Sequence, residues 1–352
     1  MSDASSEPAE SAVSSDVAQD LLLDLVDTPS VSGNESACAD RLQEFFRAHG
    51  RESFLDDVGN VRAPGDESVL LTSHLDTVPG DIPVRIEDGT LWGRGSVDAK
   101  GSLAAMAAAA VRTGVSFAGV VSEETTSAGA KHLVASREPP EALINGEPSG
   151  WDALTLGYRG LLSGTYRCET PAGHSSRPEP NAIQKGMAWW NRVREAVVSD
   201  DGSPIFDSVT AKPVSIHGGT AADGLAVDLE LEVEFRLPPG TTGRTIKDAA
   251  ESALDDGGVT WTETMEGVQK SPRQPVARAL RSAIREGGGE PRHLRKSGTS
   301  DMNTYGWAWD IPMATYGPGD SSLDHTPDER LSLDEFDRAL AVLTDAATRL
   351  SQ

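Results

Sequence analysis

Two cysteines in 352 residues, Cys38 and Cys168, are too few for a disulfide framework and fit no zinc-finger spacing. Free thiols in a reducing compartment are expected instead. No apolar run approaches the roughly 18 residues of a membrane-spanning helix. The first residues have no basic stretch and no apolar core, so no secretory signal is expected. Lysine is scarce, supplying seven of the 31 basic residues, and aromatic residues make up only 5%. Against these stand 55 Asp and Glu, for a net charge of −24. Such a charge disfavours nucleic acid and anionic membranes as partners. It fits a cytoplasm of high salt, where an acidic surface stays hydrated and its self-repulsion is screened. A cytoplasmic, halophilic protein of two domains is the expectation.

One stretch organises the chain. Val69-Leu70-Leu71 reads as a buried parallel strand and leads into Ser73-His74-Leu75-Asp76-Thr77-Val78-Pro79. His74 and Asp76 are two positions apart, on one side of an extended chain. An imidazole beside a carboxylate suits a metal ligand with its orienting partner. Asp98 follows the Gly-rich turn Leu91-Trp92-Gly93-Arg94-Gly95-Ser96-Val97 and precedes an Ala-rich helix. It too is therefore expected at the carboxyl edge of a sheet, where open α/β sheets bind ligands. The turn could alternatively cradle a phosphate at the helix start. It lacks a P-loop ending, because Lys100 is flanked by Ala99 and Gly101.

Along the chain, residues 1–15 are mostly Ser, Ala, Glu and Asp with one Pro, and read as a disordered acidic tail. Asp16 is expected to cap a helix with the stripe Leu21, Leu22, Leu25 and Val26, and Asn34 to cap a second. A hairpin is expected around Asp88-Gly89. Alternating strands and helices up to Glu147 predict a doubly wound, mostly parallel α/β sheet. From residue 154 the pattern becomes strands paired around Tyr158-Arg159-Gly160, two helices and further antiparallel strands. The α/β pattern then resumes. The expected division is a catalytic, metal-binding domain of 16–157 and 268–352, interrupted by a smaller α+β lid or dimerisation domain, 158–267.

His74, Asp98, the pair Glu123-Glu124, Glu147 and His325 thus fall at strand ends or adjoining loops of one sheet. Imidazole and carboxylate together suit Zn²⁺ or Co²⁺. The ligands exceed what one zinc needs and suit two metals bridged by a carboxylate. Of the adjacent glutamates, one can bind metal while the other takes a proton from bound water.

With these motifs, and with Gly146-Glu147-Pro148-Ser149 and Ala172-Gly173-His174-Ser175-Ser176-Arg177-Pro178, the chain resembles the co-catalytic zinc exopeptidases and deacylases. That family includes succinyl-diaminopimelate desuccinylase, acetylornithine deacetylase and glutamate carboxypeptidase. The resemblance implies a dinuclear zinc or cobalt hydrolase of linear amide bonds. It implies His74 on one metal, His325 on the other, Asp98 bridging, and Glu124 and Glu147 completing the two sets. It further implies Glu123 as general base to a metal-bridging water, Asp76 orienting His74, and His174 supporting the developing oxyanion, often across a homodimer interface. Arg177, Asn181, Arg236 and Ser300 are the implied substrate contacts.

Gly157-Tyr158-Arg159-Gly160 and Ser297-Gly298-Thr299-Ser300-Asp301-Met302-Asn303 most resemble one branch of the family. That branch frees lysine or ornithine from an acidic amino-group carrier protein in lysine and arginine biosynthesis. The runner-up is a small-acyl deacylase acting on acetylornithine, acetyllysine or succinyl-diaminopimelate. A basic segment, with Arg273, Arg278, Arg281, Arg285, Arg292, Arg295 and Lys296, is a candidate dock for an acidic carrier.

Overall fold

The computed structural model describes residues 13–199 and 201–352. Residues 1–12 of the expected tail lie outside that range. Its last three residues are structured: Val13 is buried and the helix Ser15–Asp27 begins at Ser15. Ser14, not Asp16, caps that helix, its hydroxyl accepting from Val17 N at 3.3 Å. The expected stripe Leu21, Leu22, Leu25 and Val26 is buried. The next helix, Ser36–Ala48, starts from Glu35 with no side-chain cap, so Asn34 does not serve there.

The chain folds as two compact units, Met1–Leu156 with Lys270–Leu294 and Ala308–Gln352, and Gly157–Gln269 with Arg295–Trp307. The centre of the first is four parallel strands in the order Val115–Val120, Asp66–His74, Leu143–Gly146 and Met313–Thr315. Val61–Ala63 and Ala153–Tyr158 flank them antiparallel. Residues 69–74 and the whole of Val115–Val120 are buried, as strands covered on both faces must be. The helix Lys100–Thr113 is buried from Lys100 through Ala110, and its many alanines allow close approach to the sheet. Arg51 caps its far end, donating to Ala110 O at 2.5 Å and Val115 O at 3.0 Å. No helix among the described residues is long and apolar enough to cross a membrane.

The second unit is a four-stranded antiparallel sheet, Thr210–Thr220, Ala226–Leu237, Gly160–Pro171 and Gly258–Trp261 in that order. Leu229, Leu231, Val233 and Phe235 alternate into its core with Trp189 of the helix Ala182–Val197. Tyr166 stacks on Trp189 at 4.5 Å. Trp189 Nε1 donates to Ala250 O at 3.0 Å, which keeps a buried indole satisfied.

Two expectations change. Ala153–Tyr158 and Gly160–Pro171 do not pair with each other; they join different sheets, and the chain crosses at Arg159. That guanidinium is buried, donating to Thr210 Oγ1 at 2.6 Å and to the carbonyls of Ser208 and Arg236. Residues 295–307, expected with the catalytic domain, belong to the second unit. The reason is polar: Asn303 Nδ2 donates to Glu266 O at 2.8 Å and Arg159 O at 3.2 Å, and Arg295 pairs with Asp207 at 3.0 Å.

Candidate metal centre

His74 ends its strand, and its imidazole is 1% exposed. The neighbouring parallel strands deliver the other groups at the same edge. Val115–Val120 runs on to Glu123 and Glu124, and Leu143–Gly146 runs on to Glu147. Gly146 has no room for a side chain: a Cβ would lie 2.7 Å from that of Ser73 on the adjacent strand. Asp98 comes from the turn after the strand Thr90–Trp92, just before the helix Lys100–Thr113. Gly95 in this turn has φ +83°, and a Cβ there would meet Thr77 Cγ2 at 2.7 Å. His325 sits in the loop after Met313–Thr315.

Asp98 lies between the two imidazoles. Its Oδ1 is 3.2 Å from His74 Nε2 and its Oδ2 is 3.1 Å from His325 Nε2. Glu147 Oε1 is 3.9 Å from His74 Nε2, and Glu124 Oε2 is 3.0 Å from His325 Nε2. Side-chain donor atoms of His74, Asp98 and Glu124 all lie within 4.8 Å of one another, as do those of His74, Glu123 and Glu147. All of the sequence-predicted ligands therefore converge in the first unit.

Asp76, expected to orient His74, contacts that imidazole and the backbone of the Glu123-Glu124 pair. The closest partner of His74 Nδ1 is the backbone carbonyl of Asp76 at 2.9 Å, with the carboxylate at 3.4 Å. The carboxylate accepts the backbone N–H of Glu123 at 3.0 Å, that of Glu124 at 3.1 Å, and the Ser32 hydroxyl at 2.6 Å. One residue thus meets an imidazole through its backbone carbonyl and holds the backbone of both glutamates through its buried side chain. Glu35 adds a second hold, accepting Ser122 N at 3.1 Å. Ser122 and His325 have φ of 59° and 60°, conformations that cost a non-glycine residue about 1–2 kcal/mol and persist only where the surroundings impose them.

The electrostatics follow from this crowding. Burial opposes a charged His74, but its bonds to Asp76 and Asp98 outweigh burial and raise its pKa well above the ordinary value. The hydrogen bond to Asp98 pushes His325 up to about 9. Burial and the charge of Asp98 raise Glu124. Five carboxylates, Asp76, Asp98, Glu123, Glu124 and Glu147, around two imidazoles make a site whose negative charge a cation would neutralise. The nitrogen and oxygen donors are those that zinc and its neighbours take, so the residues present fit a divalent metal.

A phosphate-binding role for the Gly93 turn is not supported. Lys100 is 1% exposed and donates to Thr28 O at 2.7 Å, away from any anion at the turn. Burial lowers its pKa.

The remaining predicted residues lie in the second unit. His174 is exposed, with Nδ1 2.8 Å from Ser176 Oγ. Arg177 is exposed and Arg236 half-buried. Asn181 caps the helix Ala182–Val197 in a reciprocal pair with Gln184. Ser300 is buried, its hydroxyl accepting from Met302 N at 3.2 Å at the start of the helix Asp301–Ala308. Asn181 Oδ1 and the Ser300 hydroxyl oxygen thus each accept a backbone N–H that starts a helix.

Comparison with known proteins agrees with this geometry. Residues 70–349 match the model of peptidase family M20/M25/M40. The chain is 41% identical over 355 residues to a LysW-lysine hydrolase of Deinococcus radiodurans, covering 95% of this chain and 97% of that one. It is 31% identical over 324 residues to a LysW-lysine/LysW-ornithine hydrolase of Saccharolobus islandicus, covering 91% and 92%. Its fold is shared with aminopeptidase PepT of Bacillus cereus, with TM-score 0.81 at 20% identity over 96% of this chain and 99% of that one.

Proposed function

This chain belongs to peptidase family M20/M25/M40, and on that premise we propose that it hydrolyses the amide joining lysine, ornithine or both to an amino-group carrier protein. The observation that carries the chemistry is Asp98, with one carboxylate oxygen towards each of two imidazoles. In this reading His74, Asp98 and Glu147 would hold one divalent ion, and Asp98, Glu124 and His325 would hold a second. Such ions, zinc or cobalt, supply Lewis acidity and a water of lowered pKa when bound.

The chain's own residues do the rest. Glu123 takes a proton from the attacking water and returns it to the leaving amine as the C–N bond breaks. Asp76 holds the Glu123 backbone, so the base is placed by a hydrogen bond to a buried carboxylate. Supporting the carrier substrate is similarity to the two named hydrolases over more than nine-tenths of the chain. Arg292 and Arg295 are weaker candidates for docking that carrier than their charge suggests. Asp152 meets Arg292 at 2.6 Å, and Asp207 meets Arg295 at 3.0 Å.

The test is purified, zinc- or cobalt-loaded protein in high salt, offered carrier-linked lysine and ornithine beside acetyllysine, acetylornithine and succinyl-diaminopimelate. The carrier-linked substrates should show the higher kcat/KM. Equal or better turnover of the small acyl compounds would make the protein a deacylase of free amino acids.

The same preparation tests the proposed adaptation to salt. A net charge of −24 repels itself over about 3 Å in 1 M salt but about 10 Å at 0.1 M. Melting temperature and activity should therefore both fall on dilution into 0.1 M buffer. Unchanged melting in dilute buffer would show that the acidic surface needs no screening.

A further inference from the structure

Glu329 is 0% exposed, although it lies in a polar loop four residues beyond His325. Its Oε1 accepts the backbone N–H of Val97 at 3.0 Å and of Asp98 at 3.1 Å. Its Oε2 takes the Arg94 guanidinium at 2.7 Å. Its own carbonyl receives Gly93 N at 3.4 Å. From the next residue the chain pairs with the strand before the turn, Arg330 with Trp92, Leu331 with Leu91 and Ser332 with Thr90. One buried carboxylate therefore ties the turn that ends at Asp98 to the segment that carries His325. A buried charge is tolerated only where its partners are complete, and here the oxygens have three donors.

We infer that Glu329 is a positioning residue: it makes the Asp98 turn and the His325 arm one rigid piece, and so sets how tightly a cation is held between Asp98 and His325. The inference rests on the proposed reading of those two residues as metal ligands. Glutamine at 329 keeps the size but not the function. Its carbonyl can serve either the two backbone N–H groups or Arg94, and its NH₂ then opposes the other donors.

The experiment loads wild type, Glu329→Gln, Arg94→Met and Asp56→Asn with zinc, titrates each with a chelator, and measures retained zinc and melting temperature. Asp56 is the control. Its carboxylate is 6% exposed and accepts Val58 N and Asn60 N, yet its loop carries no proposed ligand. Glu329→Gln should release zinc at a chelator concentration about 10- to 100-fold below wild type. Arg94→Met, which spares the bonds to Val97 and Asp98, should shift release the same way by a smaller factor. Asp56→Asn should lower melting temperature with zinc release unchanged. Release from Glu329→Gln at the wild-type concentration, or no further shifted than in Asp56→Asn, would overturn the inference. Should Glu329→Gln not fold, an unshifted Arg94→Met would do the same. A wild type that holds no zinc would instead defeat the metal reading itself.

Discussion

Replacing Glu123 with glutamine is expected to lower turnover by about 10²- to 10⁴-fold while metal content stays at the wild-type level. The substitution keeps the side chain's size and removes only its ability to accept a proton. It also leaves the loop in place, because Asp76 grips the backbone N–H of residue 123 and not its side chain. The adjacent Glu124→Gln is the informative contrast. Glu124 lies 3.0 Å from His325 Nε2, so losing its charge should cost metal as well as activity. The geometry also poses a rival role, since a Glu123 oxygen lies within 4.8 Å of donor atoms of His74 and Glu147. If Glu123→Gln loses a metal equivalent while Glu124→Gln stays active, the two glutamates exchange roles. Metal analysis beside steady-state turnover on both variants decides between base and ligand.

Most of the residues that converge here were legible because they follow a strand or open a helix, positions that an apolar run or a Gly-rich turn marks in the sequence, whereas His325 lies in a loop that no such pattern marks. Their partners were not legible, because those partners come from far along the chain. Spacing puts Asp76 on the same side as His74, but nothing local says that its carboxylate will meet the backbone of residues 123 and 124. Glu329 reads as one more acid among 55 until Arg330–Ser332 is seen to pair with Thr90–Trp92. That strand is three residues long, too short for alternation to announce it. Arg159 reads as part of a stretch that resembles one branch of the family, and it satisfies carbonyls where the chain leaves one sheet for another. The helix Asp301–Ala308 carries no marked apolar stripe, and Asp301 and Asn303 are among its buried residues. Its place in the second unit depends on Asn303 finding carbonyls at 159 and 266.

Truncating His325 to alanine should remove about one metal equivalent per chain and nearly all activity, without unfolding the protein. His325 suits this test better than His74. The His74 imidazole is 1% exposed and its loss would leave a buried void, so stability and metal binding would change together. The His325 side chain is 51% exposed, and the strand Arg330–Ser332 pairs beyond it through backbone bonds. His325→Ala removes only the imidazole beyond Cβ and does not touch the buried core, so melting temperature should move little apart from the lost metal's contribution. The affinity loss should exceed the about 10- to 100-fold typical of removing an outer partner, because a direct donor is gone. Asp98, His74 and Glu147 remain, so the other ion should stay bound. Metal analysis of the purified variant gives the answer. Two equivalents retained in inactive His325→Ala would take His325 out of the ligand set and make it a substrate-facing group. Fewer than one equivalent in active wild type would refute the dinuclear arrangement altogether.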